Sequence, residues 1–161
     1  MDSINAEFGH FERMVYARIR PNEDLVESIE RLCATQGIER AFVRGSLGSL
    51  TAACIETPAG GSVVITGPAV EVVNISGEVR TDATGKPKAE LNGVVSDANG
   101  HVRGGRFVSG SNIVCITFEI ALEEWKPDAP KTSRAKPSRL SQTRLKQSRL
   151  KPSRLKPSRL K

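Results

Sequence analysis

The side chains with the clearest chemistry in this sequence are the cations at its C-terminal end. Residues 133–161 repeat a five-residue unit, [Ser/Thr]-Arg-Leu-Lys-[Pro/Gln], six times in unbroken register. Regularly spaced guanidinium and ammonium groups of this kind neutralise the phosphate oxygens of a nucleic-acid backbone. The candidate DNA-binding residues are Arg134, Lys136, Arg139, Arg144, Lys146, Arg149, Lys151, Arg154, Lys156, Arg159 and Lys161.

The composition of the repeat predicts a disordered, extended arm. Each proline lacks a backbone N–H and fixes its own φ, which disfavours a long helix or a central strand. One leucine in five residues buries too little apolar surface to offset the entropy of ordering. The arm has no aromatic residue for base stacking and too many interruptions for an amphipathic membrane helix. These features favour duplex DNA as the partner and argue against a membrane.

The charge is divided sharply along the chain. Residues 126–161 hold 13 Lys and Arg against one acid, a net charge of +12, whereas residues 1–125 hold 11 bases against 17 acids, a net charge of −6. An acidic body that carries a basic arm indicates a polyanionic partner. Three alternatives stay open: an acidic protein as the partner, RNA as the partner, or a solubilising repeat that has no partner.

The body offers few groups for catalysis or metal binding. His10 and His101 are its only histidines, and they lie far apart in polar stretches. No P-loop, nucleophile elbow or zinc-protease motif is present. The one polar constellation comes from a predicted hairpin, in which Glu90 and Asn92 share a strand face opposite Arg106. This cluster is a candidate small-ligand or catalytic site, and an exposed ion pair is the simpler interpretation.

The remaining composition indicates a single domain in a reducing compartment. About 125 residues are enough for one domain with its own core. Cys33, Cys54 and Cys115 are odd in number, widely spaced and set in apolar stretches, so we expect free, buried thiols. No apolar run is long enough to span a bilayer, and the polar N-terminus is unlike a secretory signal. We therefore expect a cytoplasmic protein, associated with the nucleoid if the source is prokaryotic.

The predicted elements are one helix and many strands. Leu25, Ile29, Leu32 and Cys33 form one apolar helical face, with Asn22 as the expected cap and Gly37 as the stop. Gly45–Ser49 and Asp97–Gly100 are predicted turns. The predicted strands are Met14–Arg20, Ala41–Arg44, Leu50–Glu56, Val63–Thr66, Val70–Ser76, Ala89–Ser96, Val102–Val108 and Ile113–Leu122.

This order of elements predicts an α+β fold with one main helix packed on a mostly antiparallel sheet, in a single compact domain. We expect a flexible N-terminus over residues 1–12 and a folded domain over residues 13–125. A linker over residues 126–132 and the disordered basic arm over residues 133–161 complete the predicted chain.

Four ordered segments resemble the plants-and-prokaryotes conserved (PPC) domain family, whose domain also occurs in plant AT-hook nuclear proteins. They read RPNEDLVESI at residues 20–29, VRGSLGSL at residues 43–50, VEVVNISG at residues 70–77 and NGHVRGG at residues 99–105. The resemblance covers about residues 14–122. It implies a compact α+β domain that assembles as a homotrimer.

The resemblance also implies what this chain lacks. Many prokaryotic members carry three histidines that look like a metal site, and the matching positions here are Glu90, Asn92 and Arg106. A guanidinium stays protonated and does not ligate metals, so we expect no metal and no other cofactor. Arg106 and Glu90 are expected to pair in that place, within one subunit or between subunits. The Arg-Gly-Arg core of the AT-hook is absent from the arm, so its A·T selectivity does not carry over.

We therefore predict a non-enzymatic, homotrimeric hub that binds duplex DNA non-specifically through its arms. Three arms on one hub would add avidity. The alternatives are a small-ligand-binding or catalytic trimer that uses Glu90, Asn92 and Arg106, and a protein-interaction hub.

Overall fold

The computed structural model describes residues 5–129 as one compact domain built from a single antiparallel sheet and one helix. The elements are β1 (Gly9–Ile19), α1 (Leu25–Gln36), β2 (Arg40–Glu56), β3 (Ser62–Thr81), β4 (Pro87–Ser96), β5 (Val102–Phe107) and β6 (Val114–Pro127). The predicted combination of one helix with an antiparallel sheet is confirmed, although the sheet takes a larger share of the chain than the helix. The disordered arm predicted for residues 133–161 lies outside the described residues.

The sheet has the strand order β1-β6-β2-β3-β4-β5, and every pair is antiparallel. β2 pairs in addition with β5, at Ile55 with Phe107 and at Glu56 with Arg106. This second pairing closes β2, β3, β4 and β5 into a small barrel, and β6 and β1 extend the sheet from its β2 side. The inner faces of the strands and the apolar face of α1 enclose one continuous hydrophobic core.

The helix boundaries follow from local capping. The Asp24 carboxylate accepts hydrogen bonds from the backbone N–H groups of Val26 and Glu27 at 2.9 and 3.0 Å, and Gly37 ends the helix in the left-handed conformation with φ 63°. The prediction that Asn22 caps the helix was wrong. Asn22 lies two residues too early, in a turn with φ 66°, whereas Asp24 directly precedes α1.

Several strands are longer than the local pattern predicted. The predicted turn at Gly45–Ser49 is wrong, because β2 runs continuously from Arg40 to Glu56 with β6 paired alongside it. The two strands predicted at Val63–Thr66 and Val70–Ser76 are halves of one strand, β3. Backbone hydrogen bonds to neighbouring strands keep the chain extended at glycines and a proline that would destabilise an isolated strand.

The two ends of the body pair with each other. β1 begins at Gly9 and β6 ends at Pro127, and these two residues are opposite each other in the ladder. The backbone N–H of Asp128 also donates to the carbonyl of Phe8 at 2.9 Å. The boundaries predicted at residues 12 and 126 therefore fall inside strands, because each end supplies the other with hydrogen-bond partners.

The three cysteines are free thiols, as predicted. Cys33 is buried on the core-facing side of α1, where desolvation, reinforced by the nearby Glu124 carboxylate, raises the pKa of its thiol to about 11. Cys54 and Cys115 are only half-buried. Within residues 5–129, no helix is both long and apolar enough to cross a membrane.

Asn112 links three parts of the fold. Its side chain is completely buried, and its Nδ2 donates to the carbonyls of Cys54 and Val108 at 3.0 and 2.7 Å while its Oδ1 accepts from the N–H of Cys54 at 2.9 Å. Its own backbone N–H donates to Oδ2 of Asp24 at 2.7 Å, the residue that caps α1. One residue thus joins β2, the turn before β6 and the start of the helix.

Glu124 is a buried carboxylate whose charge is balanced at the end of the sheet. The Arg13 guanidinium hydrogen-bonds to it, and Nζ of Lys126 lies 2.8 Å from its Oε1 in an ion pair. Burial raises the pKa of the Glu124 carboxyl, but Arg13 and Lys126 lower it by more, so the pKa ends below its usual value. Arg13 also donates to the carbonyl of Gln36 at 2.8 Å, which fixes the end of α1 to β1 and β6.

β2 and β3 separate in the middle of the sheet. The two strands pair at Phe42 with Glu78 and again at Ser49 with Glu71, and the register is the same before and after the unpaired segment. Between these points, residues 43–48 and residues 72–77 have no ladder partner across the gap in the described part of the chain. We call this feature the opening. Its β2 edge stays paired to β6, and its β3 edge stays paired to β4.

Candidate functional site

The structure brings the predicted polar cluster together on the outer face of the sheet. Asn92 and Arg106 are opposite each other in the β4–β5 ladder, and Glu90 lies two residues before Asn92 on the same face. All three residues are exposed. The predicted hairpin turn at Asp97–Gly100 is confirmed, and it sets this register through a hydrogen bond from the N–H of Asp97 to the carbonyl of His101 at 3.1 Å.

The ion pair predicted between Arg106 and Glu90 does not form within the chain. Arg106 instead binds Glu56, with Nε donating to Oε2 at 3.0 Å and a second bond from Nη2 to the same oxygen. The cause is the closure of the barrel, which places Glu56 of β2 directly opposite Arg106 of β5. The hydrogen bond to Glu56 raises the pKa of Arg106 and is the largest influence on it, whereas Glu90 contributes only a weak electrostatic attraction.

Gly105 permits this close approach of β5 to β2. A Cβ at residue 105 would lie 2.4 Å from the carbonyl oxygen of Glu56, which is far inside van der Waals contact. Gly104 is different, because a Cβ there would meet its nearest atom at 3.5 Å. The close backbone approach therefore requires a glycine at residue 105 but not at residue 104.

A double-mutant cycle distinguishes the two possible partners of Arg106. We expect Glu56→Gln and Arg106→Met to be coupled in the free energy of unfolding, because the first removes the negative charge from the group that accepts both guanidinium bonds. As the matched control, the effects of Glu90→Gln and Arg106→Met on the free energy of unfolding should be additive. Urea unfolding of the single and double variants measures both couplings. Coupling through Glu90 with none through Glu56 would contradict the observed pairing.

Glu90 faces a second carboxylate across the sheet. It is opposite Glu78 of β3, and Glu78 already accepts hydrogen bonds from Nε of Arg40 and Nε of Arg80 at 3.3 and 2.7 Å. Glu90 itself makes no ion pair with any residue in the described range 5–129. A cavity of about 430 Å³ lies beside it and is lined in part by Glu78, Glu90 and Asn92. Its donors and acceptors suit a polar or cationic group.

The described residues contain no metal-binding constellation. Residues 5–129 include no group of three or more His, Cys, Asp and Glu side chains that could hold a metal ion. His10 and His101 are exposed at separate places, and Nδ1 of His101 lies 3.0 Å from an oxygen of Asp97 within the hairpin. Hydrogen bonds from the backbone of His101, its ring and the backbone of Asn99 lower the pKa of Asp97. The absence of a bound metal stays a prediction.

An aromatic cluster at the end of the sheet was missed by the sequence analysis. Phe11, Phe42 and Trp125 meet edge to face, with ring centroids 5.2 to 6.4 Å apart. Arg40 lies over Phe42 and Arg44 lies over Phe11, at 5.2 and 4.4 Å from the ring centroids. The three rings come from β1, β2 and β6, so no local spacing in the sequence could have predicted that they meet.

All eleven arm residues predicted to bind DNA, from Arg134 to Lys161, lie outside the described residues. Their role stays a prediction. The described part of the chain ends two residues after β6.

Solved structures of other proteins share this fold. A metal-containing protein from Archaeoglobus fulgidus is 19% identical with a TM-score of 0.66, over 79% of this chain and 89% of that one. A plant- and prokaryote-conserved protein from Pyrococcus horikoshii is 22% identical with a TM-score of 0.64, over 78% and 87%. A candidate DNA-binding protein from Bacteroides thetaiotaomicron is 15% identical with a TM-score of 0.60, over 72% and 83%. No curated protein sequence matches the chain.

The sequence profile of one domain family covers nearly the whole body. The profile of the Plants and Prokaryotes Conserved domain, abbreviated PCC or PPC, matches residues 6–126. This range takes in α1 and strands β1 to β5 completely and all but the last residue of β6. It also contains the four segments that carry the resemblance in the sequence. The chain therefore belongs to the Plants and Prokaryotes Conserved domain family.

Proposed function

We propose that this protein is a non-enzymatic, homotrimeric hub that binds the backbone of duplex DNA through its C-terminal arm. The observation that carries the proposal is the separation of charge, with +12 on residues 126–161 and −6 on residues 1–125. Counterion release from phosphates supplies affinity without a base code, and the arm has the cations for it. The fold shared with the candidate DNA-binding protein of Bacteroides thetaiotaomicron is consistent with this assignment.

The charges of the body support the arm as the DNA-binding element. Most arginines of residues 5–129 are engaged by carboxylates, so they offer little positive potential to a phosphate. The pairs are Arg13 with Glu124, Arg18 with Glu119, Arg31 with Glu23, Arg40 with Glu7 and Glu78, Arg44 with Glu123, Arg80 with Glu78, and Arg106 with Glu56. The surplus of acids then repels a duplex from the folded surface.

The chemistry of the body supports a function other than catalysis. Within residues 5–129 both histidines are exposed, and each ring lies beside an aspartate, with Nδ1 of His10 at 3.6 Å from Asp128 and Nδ1 of His101 at 3.0 Å from Asp97. The thiol of Cys33 is buried with a pKa of about 11, so it is protonated and unreactive at neutral pH. A binding role needs none of these groups.

Assembly into a trimer strengthens the proposed binding. Three arms on one hub convert the second and third contacts into intramolecular events, which raises avidity without any new contact. A trimer could also hold two duplexes together, because its arms leave from three separate subunits.

A salt titration tests the proposal. If each arm neutralises about six phosphates, log K plotted against log[salt] should fall with a slope near −5 for one arm, and more steeply for a trimer. Fluorescence anisotropy of a labelled duplex of random sequence measures the slope. A duplex of different sequence should give the same affinity, and single-stranded RNA of equal length serves as the competing polyanion. A slope near zero, or a clear preference for RNA, would contradict backbone binding to duplex DNA.

A second candidate function is the binding of a small ligand at Glu90, Asn92 and Arg106. The observation in its favour is that Glu90, which faces Glu78, has no cationic partner among residues 5–129 and borders a cavity of about 430 Å³. Mass spectrometry of the purified protein under native conditions tests it. A retained small molecule that is lost in Glu90→Gln would favour this function over the DNA hub.

A further inference from the structure

A cavity of about 510 Å³ lies at the end of the sheet that carries the aromatic cluster. The rings of Phe11, Phe42 and Trp125 line it, together with the side chains of Arg40 and Arg80. Its volume is in the range of pockets that hold small organic molecules, and such pockets combine aromatic walls with a few charged groups. The aromatic cluster is therefore one wall of a cavity, in which the ring of Phe11 remains exposed.

Arg40 is the charged group that is held most firmly at this cavity. Its side chain is only 18% exposed, and its guanidinium carbon lies 5.2 Å from the ring centroid of Phe42 and 5.9 Å from that of Trp125. Its Nε donates to Glu78 of the neighbouring strand β3 at 3.3 Å. Contacts with two rings and one carboxylate fix the position of the guanidinium. A partly desolvated guanidinium in a fixed position is well suited to bind a carboxylate.

The remaining side of Arg40 is occupied by Glu7, which precedes the first strand. Nη1 of Arg40 donates to Oε2 of Glu7, whose side chain is 51% exposed and belongs to no helix or strand. Within residues 5–129, Arg40 is the only ion-pair partner of Glu7. An exposed ion pair of this kind is weak because water screens it, so the anionic group of a ligand can displace it. The Glu7 carboxylate thus occupies the place that such a group would take.

The charges around the cavity decide which ligand fits. Arg40 and Arg80 carry two positive charges. Glu7 and Glu78 carry two negative charges, so the site is neutral. A ligand with a single negative charge that replaces Glu7 keeps this balance. A cation would meet two guanidinium groups, and a dianion would add a like charge beside Glu78, which is unfavourable. The aromatic wall in turn favours a ring as the body of the ligand.

We propose that this cavity binds a small aromatic carboxylate. Its carboxylate group takes the place of Glu7 on Arg40, and its ring packs against the aromatic cluster. The inference goes beyond DNA binding. It makes no use of the arm or of the second candidate site around Arg106, so its test is independent of both.

Tryptophan fluorescence tests the proposal, with benzoate as the probe. Trp125 is the only tryptophan of the chain, so the emission of the full-length protein reports on this wall of the cavity. We expect a saturable change in emission with a Kd of about 1 mM or tighter. Benzyl alcohol has the ring without the charge, and acetate has the charge without the ring. Each should bind at least about tenfold more weakly. Phenyl phosphate should also bind more weakly than benzoate, because its phosphate is close to a dianion at neutral pH.

Two variants should shift the affinity for benzoate in opposite directions. Glu7→Gln removes the competing carboxylate without altering a strand, and we expect it to bind benzoate about threefold more tightly. Arg40→Gln removes the guanidinium, and we expect it to bind at least about tenfold more weakly. The matched controls are Glu23→Gln and Arg31→Gln, which break an exposed ion pair outside the cavity and should leave the Kd unchanged.

Three results would overturn the proposal. The first is an emission that changes without saturation up to about 10 mM benzoate, ten times the expected Kd. The second is an equal or weaker affinity of Glu7→Gln relative to the unsubstituted protein, which does not depend on the folding of the Arg40 variant. The third is tighter binding of phenyl phosphate than of benzoate. Duplex binding measured on the same samples depends on the arm, so a failure of this site and a failure of the proposed DNA binding are told apart.

Discussion

Deletion of residues 130–161 is expected to abolish duplex binding at moderate salt. The deletion removes 12 of the 13 cations that lie after residue 125 and leaves a folded body with a surplus of acids. Neutralising about six phosphates per arm accounts for a loss of at least about 100-fold in affinity when the arm is absent. Electrophoretic mobility shifts of a labelled duplex with full-length and shortened protein measure the effect. The deletion removes no described element, since β6 ends at Pro127.

Two arm variants separate charge from chain length. Replacing every arm Arg and Lys by Gln keeps the length and the prolines, and it should weaken binding as much as the deletion does. Replacing every arm Arg by Lys keeps the charge, and it should change affinity only modestly, because point charge and not bidentate base recognition is proposed. Binding that survives the deletion, or a strong preference for one duplex sequence, would move recognition to the folded domain and refute the assignment.

Asn112→Ala should destabilise the domain by about 3 kcal/mol, because it removes three hydrogen bonds and leaves the backbone N–H of Cys54 in β2 unpaired. The carbonyls of Cys54 and Val108 each keep one hydrogen bond, from the N–H groups of Val108 and Ser111. The completely buried position gives water no access to replace the lost hydrogen bonds. Equilibrium unfolding in urea measures the loss as a shift in midpoint, and an unchanged m-value would show that the native state keeps its compactness.

The matched control for this prediction is Asn74→Ala, which truncates an exposed asparagine on β3. It should change the free energy of unfolding by no more than about 0.5 kcal/mol. Equal effects at the two positions would mean that the bonds of Asn112 contribute nothing beyond a general cost of the substitution. Asn112→Asp gives a further test. It keeps the size of the side chain but turns a donor into an acceptor facing two carbonyls, and it should be at least as destabilising as the alanine.

Features that depend on neighbours in the sequence were predictable. The apolar face of α1 and its stop at Gly37 follow from helical spacing and from the left-handed conformation that glycine adopts easily. The hairpin at residues 97–100 follows from turn residues next to each other, and it is enough to bring Asn92 opposite Arg106. The free thiols and the family membership were predictable for a similar reason, since composition and ordered motifs carry them.

Pairing between distant segments determined the partner of Arg106 and the length of β2, which the local sequence pattern could not predict. Glu56 and Arg106 are 50 residues apart, and only the closure of β2 onto β5 makes them partners in place of Glu90 and Arg106. Long-range pairing also explains why β2 continues through Gly45 and Gly48. Backbone hydrogen bonds to β6 stabilise as a strand a segment whose local sequence predicts a turn.

The charge of the arm and the acidity of the body are properties of composition, so the sequence by itself determined the polyanion-binding hypothesis. The aromatic cluster is the opposite case. Phe11, Phe42 and Trp125 belong to three strands, and their spacing in the sequence does not reveal which strands lie side by side. Only the strand order β1-β6-β2 brings the three rings together, because lateral neighbours in a sheet are set by tertiary pairing and not by sequence distance.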